Sequence, residues 1–197
     1  QLSGENNRIY LFYRWAEPGG DNREWRFSYS DDGGLTFGNE TILRKNFLSN
    51  PVGERFVINP YTFPISDGVN RIHFVSMDYQ QIASGNYPRN IYHWYYEGGA
   101  YYRMDGTKIK DAFTDYLVSS DEVDIVDNSE NVNIWEIAID DNGYPVIVYV
   151  KFEDYNTNHM YKYARWDGTQ WIVNDIVSGG GPVPEAQGRE WYSGGIT

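Results

Sequence analysis

The 197-residue sequence is long enough for one domain with a sizeable core, and its 18 Tyr, 7 Trp and 20 Gly favour short strands over helices. A formal charge of −12 argues against nucleic acid, whose phosphates need clustered Lys and Arg, and mildly against a polyanion unless the site is locally basic. The absence of cysteine excludes disulfides and thiolate metal sites, and no apolar run approaches membrane-spanning length.

Three segments repeat one layout. NRIYLFYRW, from Asn7 to Trp15, is followed by REWRFSYSDDGGLTF. YTFPIS precedes NRIHFVSMDY, from Asn70 to Tyr79, and RNIYHWYYEGGAYY follows it. WEIAID precedes YPVIVYVKF, from Tyr144 to Phe152, and HMYKYARWDGTQW follows. Each is a strand, a loop, a strand, a Gly-containing turn and a further strand; EWYSGGIT then reads as the opening strand of a fourth unit. The units fall at about 1–50, 51–118 and 122–178, with the next beginning in 179–197.

Four-stranded units of this length that repeat in order predict an all-β fold, a β-propeller of antiparallel four-stranded blades. A β-sandwich has many short strands but not this repeated order of turns. About three blades are fewer than the usual minimum of four, so the expectation is a fragment whose ring is completed by missing blades or by another chain. YTFPIS, WEIAID and WYSGGI are expected nearest the common axis. The stretch opens at Gln1 with no signal peptide, so export is not directly readable.

SDDGGLTF, from Ser30 to Phe37, fits the pattern S-x-D-x-G-x-T-[WF]. Asp32 can bond the turn backbone, Gly34 supplies a permissive φ, and Phe37 is expected to plug the sheet. Such a turn supports a fold and says nothing of chemistry.

The chain has three histidines, and two of them, His73 and His93, sit on adjacent strand patterns. Side chains alternate along a strand, so shared direction can be tested by parity. Setting Ser66 against Asp140 aligns His73 with Ile147, two residues from Tyr149. Setting YEGG against WDGT aligns His93 with Tyr163, two residues from Arg165. The four side chains are then expected to point in equivalent directions and to converge on one cleft.

These stretches, with YKYARWDG and YSGGI, resemble the sialidase-repeat, Asp-box β-propellers that include ulvan lyases. The likeness covers most of the chain from about Tyr61 onward. It implies a seven-bladed propeller, a secreted or periplasmic location, and a catalytic centre of His73, His93, Tyr149 and Arg165. Arg89, Tyr95, Arg189 and Tyr192 are the candidate substrate-binding residues. The implied partner is an anionic, uronic-acid-containing, sulfated polysaccharide, with neither nucleic acid nor membrane.

The residue types suit β-elimination. A lyase removes the proton on C5 of a uronate and expels the oxygen on C4, which requires the neighbouring carboxylate to be neutralised. Arg165 can grip that carboxylate bidentately, with a histidine as second donor. Tyr149 can serve as base or acid if Arg165 lowers its pKa, and His73 is the alternative base. The mechanism requires no cofactor or metal, and leaves room for a structural divalent cation.

Each residue also has an ordinary reading. Histidines in strands are usually packed or solvated, Tyr149 sits in an apolar run, and Arg165 can simply pair with a surface acid such as Asp167. Trp94, Tyr95 and Tyr96 can stack on sugars or fill a core, and His159 reads as a solvated loop residue. Two other functions compete: a sialidase-like glycoside hydrolase, which wants paired carboxylates for which Glu136 and Asp140 are available, and a glycan-binding propeller without turnover.

Overall fold

The computed structural model describes residues 1–16, 18, 23–45, 57–82, 85–154 and 158–181. Among these, helix is confined to two single turns, Ser3–Glu5 and Ser120–Glu122. The rest of the regular structure is three antiparallel sheets. β1 (Ile9–Ala16), β2 (Arg23–Ser30) and β3 (Gly38–Arg44) form the first. The second runs β4 (Val57–Ser66), β5 (Arg71–Ile82), β6 (Gly85–Glu97), β7 (Ala100–Tyr102) and β8 (Lys108–Asp111). β9 (Asp124–Glu130) also pairs with β6 in that sheet. The third is β10 (Val132–Ile139), β11 (Pro145–Asp154), β12 (Asn158–Trp166) and β13 (Trp171–Ser178).

Only the third sheet has the expected four strands. In the second, β6 is 13 residues long and takes two partners end to end along one edge. β7 pairs with Tyr95–Glu97, and β9 pairs with the stretch from Arg89 to His93. The expected inner strands β4 and β10 each pair on one side only, and they pack against each other. The WYSGGI segment lies outside the described residues.

Alternation along β5 and β6 divides the interior in two. Ile72, Phe74, Tyr92, Trp94 and Tyr96 point to the first sheet and pack with Leu2, Phe27, Leu43 and Tyr101. Val75, Met77 and Ile91 point the other way and pack with Ile134, Ile137, Ile147, Tyr149 and Ala164 of the third sheet. Each face thus gains apolar burial that an isolated sheet could not provide.

The turns sort to the two ends of the sheets. The β2–β3, β4–β5 and β6–β7 turns share one end, and Ser3 N–H donating to the Gly68 carbonyl at 3.1 Å joins the first two sheets there. In the β2–β3 turn, Asp32 accepts from the Thr36 backbone N–H at 2.9 Å, while Ser30 Oγ accepts from Gly34 N–H at 2.9 Å. Gly34 has φ 92, a conformation that explains the glycine. Phe37 does not plug the sheet, being 43 % exposed.

Candidate functional site

His73 Nδ1 and His93 Nε2 lie 3.1 Å apart, so one ring donates to the other. Cross-strand pairing builds this contact: His73 is opposite Tyr95, and Val75, two residues on, is opposite His93. The four side chains therefore share the face of the second sheet that meets the third. His73 and His93 are both buried. Desolvation, then the neighbouring His93 and Arg71, pull the His73 pKa from 6.5 to about 3. Burial also lowers that of His93, against the pull of Asp124. Asp124 Oδ2 stands 3.7 Å from His93 Nδ1, too far for a formed hydrogen bond, and itself accepts from Met104 N–H at 2.9 Å. Both rings are thus neutral at pH 7, which suits a base and not the cationic donor expected of a protonated histidine.

Tyr149 lies on the facing wall, fully buried and paired with Ile134 across β10–β11. Its hydroxyl donates to Asp127 Oδ2 at 2.5 Å, and burial together with that carboxylate raises its pKa. The expected lowering by Arg165 does not occur. Asp127 is three residues along β9 from Asp124, about 10 Å of strand, so Tyr149 and His93 meet different positions of that strand.

Arg165 is on the opposite face from Tyr149. Tyr149 is opposite Lys162, whereas Arg165 is opposite Val146, an odd number of residues away. Its guanidinium donates twice to Asp140 Oδ2, from Nε at 2.9 Å and Nη2 at 2.6 Å. The cation beside Tyr149 is Lys162, ion-paired to Asp175.

The turn chemistry explains the difference. Asp67 accepts from Arg71 N–H as Asp140 accepts from Tyr144 N–H, so Asp67 and not Ser66 is the counterpart of Asp140. That single-residue slip turns Tyr149 back toward the histidines and leaves Arg165 facing away from them.

Of the candidate substrate contacts, Tyr95 is buried, tilted against His73 at 5.6 Å and capped by the Arg71 guanidinium at 4.8 Å. Arg89 pairs with Glu130 at 3.1 Å. Arg189 and Tyr192 lie outside the described residues. His159, expected in a solvated loop, is a buried residue of β12 packed on Phe152 at 4.6 Å.

Sequence reasoning missed a cavity of about 150 Å³ on the same inter-sheet interface, lined by Tyr61, Phe63, Met77, Tyr79, Asn133, Ile134 and Trp135. It adjoins both walls of the candidate site: Phe63 pairs with Val75, the partner of His93, and Ile134 pairs with Tyr149. Its β10 residues come from the start of that strand. The bulge between Ile134 and Glu136 departs from strict alternation beside Trp135, a signal invisible to a parity reading.

A BNR repeat-containing family model matches residues 1–178. The chain belongs to the BNR repeat-containing family. No curated protein matches this family member. Among solved structures it is similar to one described as a new family of polysaccharide lyase, PL25 ulvan lyase, with a TM-score of 0.68 and 18% identity. The match covers 92% of this chain and 42% of that one. The same lyase bound to a glucuronic acid(1-4)rhamnose 3-sulfate repeat gives the same values. The family member thus spans less than half the length of the structures it matches, and at this identity the likeness concerns the fold.

Proposed function

We propose that the protein is part of a β-propeller polysaccharide lyase that cleaves a uronic-acid-containing, sulfated polymer by β-elimination. The observation that carries the reading is that two neutral histidines and a tyrosine lie on facing walls of one inter-sheet interface, within a fold similar to that of an ulvan lyase. Such a polymer is met outside the cell, and we place the protein there.

In this reading a neutral histidine takes the C5 proton, the electrons of that bond form the C4–C5 double bond, and the C4–oxygen bond breaks. His73 is the candidate base. Tyr149, whose raised pKa keeps its proton, is the candidate acid for the leaving oxygen, with Asp127 orienting the hydroxyl. Arg165, bound to Asp140 on the other face, leaves the carboxylate to be neutralised by another group. Incubation with a panel of uronic polysaccharides should raise the ultraviolet absorbance of an unsaturated uronate, and Tyr149→Phe should abolish the rise while binding persists.

One observation favours a second reading, a glycan-binding propeller without turnover: both histidines and Tyr149 are buried. Saturable binding by the same panel with no absorbance change would select it over the lyase.

A further inference from the structure

Arg14 and Arg23 stand apart from the other arginines of the strands, and of the two only Arg14 is exposed. Arg8, Arg26, Arg44, Arg71, Arg89 and Arg165 each meet a carboxylate. Arg14 is exposed and has no carboxylate partner among the described residues. Its guanidinium lies 5.2 Å from the centre of the ring of Tyr61, a residue that lines the cavity between the second and third sheets, although Arg14 itself does not line it.

Two contacts set that position. Across β1–β2, Arg14 is opposite Trp25, and the Trp25 indole N–H donates to the Pro60 carbonyl at 2.7 Å. The first sheet is thereby fastened to the residue before Tyr61. Tyr79 meets Tyr61 edge to face at 5.9 Å, so the tyrosine ring is held from both sides. A guanidinium resting on an aromatic face keeps its planar fork of N–H donors free at the edge.

The cavity itself suits one ring. At about 150 Å³ it falls below the roughly 300–1,000 Å³ of ordinary ligand pockets. Its aromatic walls match the apolar face of a pyranose, and the Trp135 indole N–H, buried there, has no acceptor among the described residues. In a chain of charge −12, a cation resting on a cavity-lining tyrosine, with no carboxylate partner among the described residues, is the local basicity that an acidic sugar requires.

We propose that the Tyr61–Trp135 cavity is a subsite for one anionic sugar residue, with Arg14 holding its anionic group. This rests on the polysaccharide reading above and supplies the cation that Arg165 does not. A uronate carboxylate and a sulfate ester share the chemistry Arg14 recognises, and the probes separate them.

The test is calorimetric titration at low salt with three oligosaccharides: uronate-containing without sulfate, the same with sulfate, and a carboxyl-reduced, unsulfated form. Arg14→Gln should weaken binding of the anionic probes roughly tenfold or more and leave the neutral one unchanged. Loss confined to the sulfated probe assigns the group as sulfate; loss on both assigns the carboxylate. Tyr61→Ala should weaken all three. Thermal unfolding of Arg14→Gln should match the parent, since the side chain is exposed. Anionic binding by Arg14→Gln within about twofold of the parent overturns the proposal. Arg14-dependent binding without unsaturated product sinks the lyase reading and leaves the subsite standing. Product formation with Arg14-independent binding does the reverse.

Discussion

The two faces of β5 and β6 support different kinds of interior. Toward the first sheet the core is aromatic, with Phe74 stacked on Trp94 at 5.3 Å and Phe12 edge-on to Phe74 at 5.1 Å. Some of its polar groups meet in structural bonds, such as Tyr10 with Tyr96 at 2.7 Å, while the Trp94 indole N–H and the Tyr101 hydroxyl have no partner among the described residues. Toward the third sheet the core is mostly aliphatic, yet it holds His73 and His93, the Tyr149 hydroxyl and a cavity. One interface joins its sheets; the other carries side chains able to exchange protons. Alternation alone sets the two apart, since adjacent residues Ile72 and His73 serve different interfaces.

The comparison breaks first at Arg44, on the structural side. Arg44 is fully buried with Asp78, their ion pair closing at 2.5 Å, and Arg44 also donates to Ser76. Arg44→Met strands a buried carboxylate and should cost about 3–5 kcal/mol in denaturant unfolding. Replacing both partners, as Arg44→Met with Asp78→Leu, should recover most of the loss. If the double variant is as unstable as the single, the stranded charge is not the cause.

The functional interface should respond to pH. The folded-state pKa of His73 is about 3 against an unfolded 6.5, so the unfolded chain binds more protons between those values. Stability is fully present above about pH 6.5 and falls as pH drops toward 3, by on the order of a few kcal/mol. His93, also depressed, adds in the same direction. His73→Gln should flatten the curve of melting temperature against pH in that window. An unchanged slope would mean the ring is not buried as described.

Tyr149→Phe sharpens the same interface at smaller scale. It deletes the bond to Asp127 while keeping the ring, so unfolding should cost about 1–2 kcal/mol. A loss confined to stability, with elimination intact, would make Tyr149 a packing residue.

Much of this was readable in the sequence. The strand order, the Gly turns and the shared face of His73 and His93 follow from alternation and spacing. Two things were not readable. Register between repeats depends on which residue of the Asp/Gly/Asn turn closes it, and Asp67 and Ser66 are equally plausible until the turn bonds are seen. A slip of one residue reverses every side chain, which is why Tyr149 and Arg165 part company. The pairing of β9 with β6 was hidden too, because it joins distant segments, and with it went Asp124 and Asp127.

The smallest expected effect is the most discriminating. Arg165 is 45% exposed at the side chain and bound to a turn carboxylate, a surface pair of the kind that contributes about 0.2–1 kcal/mol. Arg165→Ala should therefore shift the melt slightly, and less in high salt, where such a pair is screened. The pH profile set by His73 should not move, since Arg165 is on the other face of the third sheet. On an anionic oligosaccharide it should bind as the parent does, in contrast to Arg14→Gln. If Arg165→Ala instead abolished binding, the outward face of β12 would be the substrate face. The cleft between the second and third sheets would then be only a core with two histidines in it.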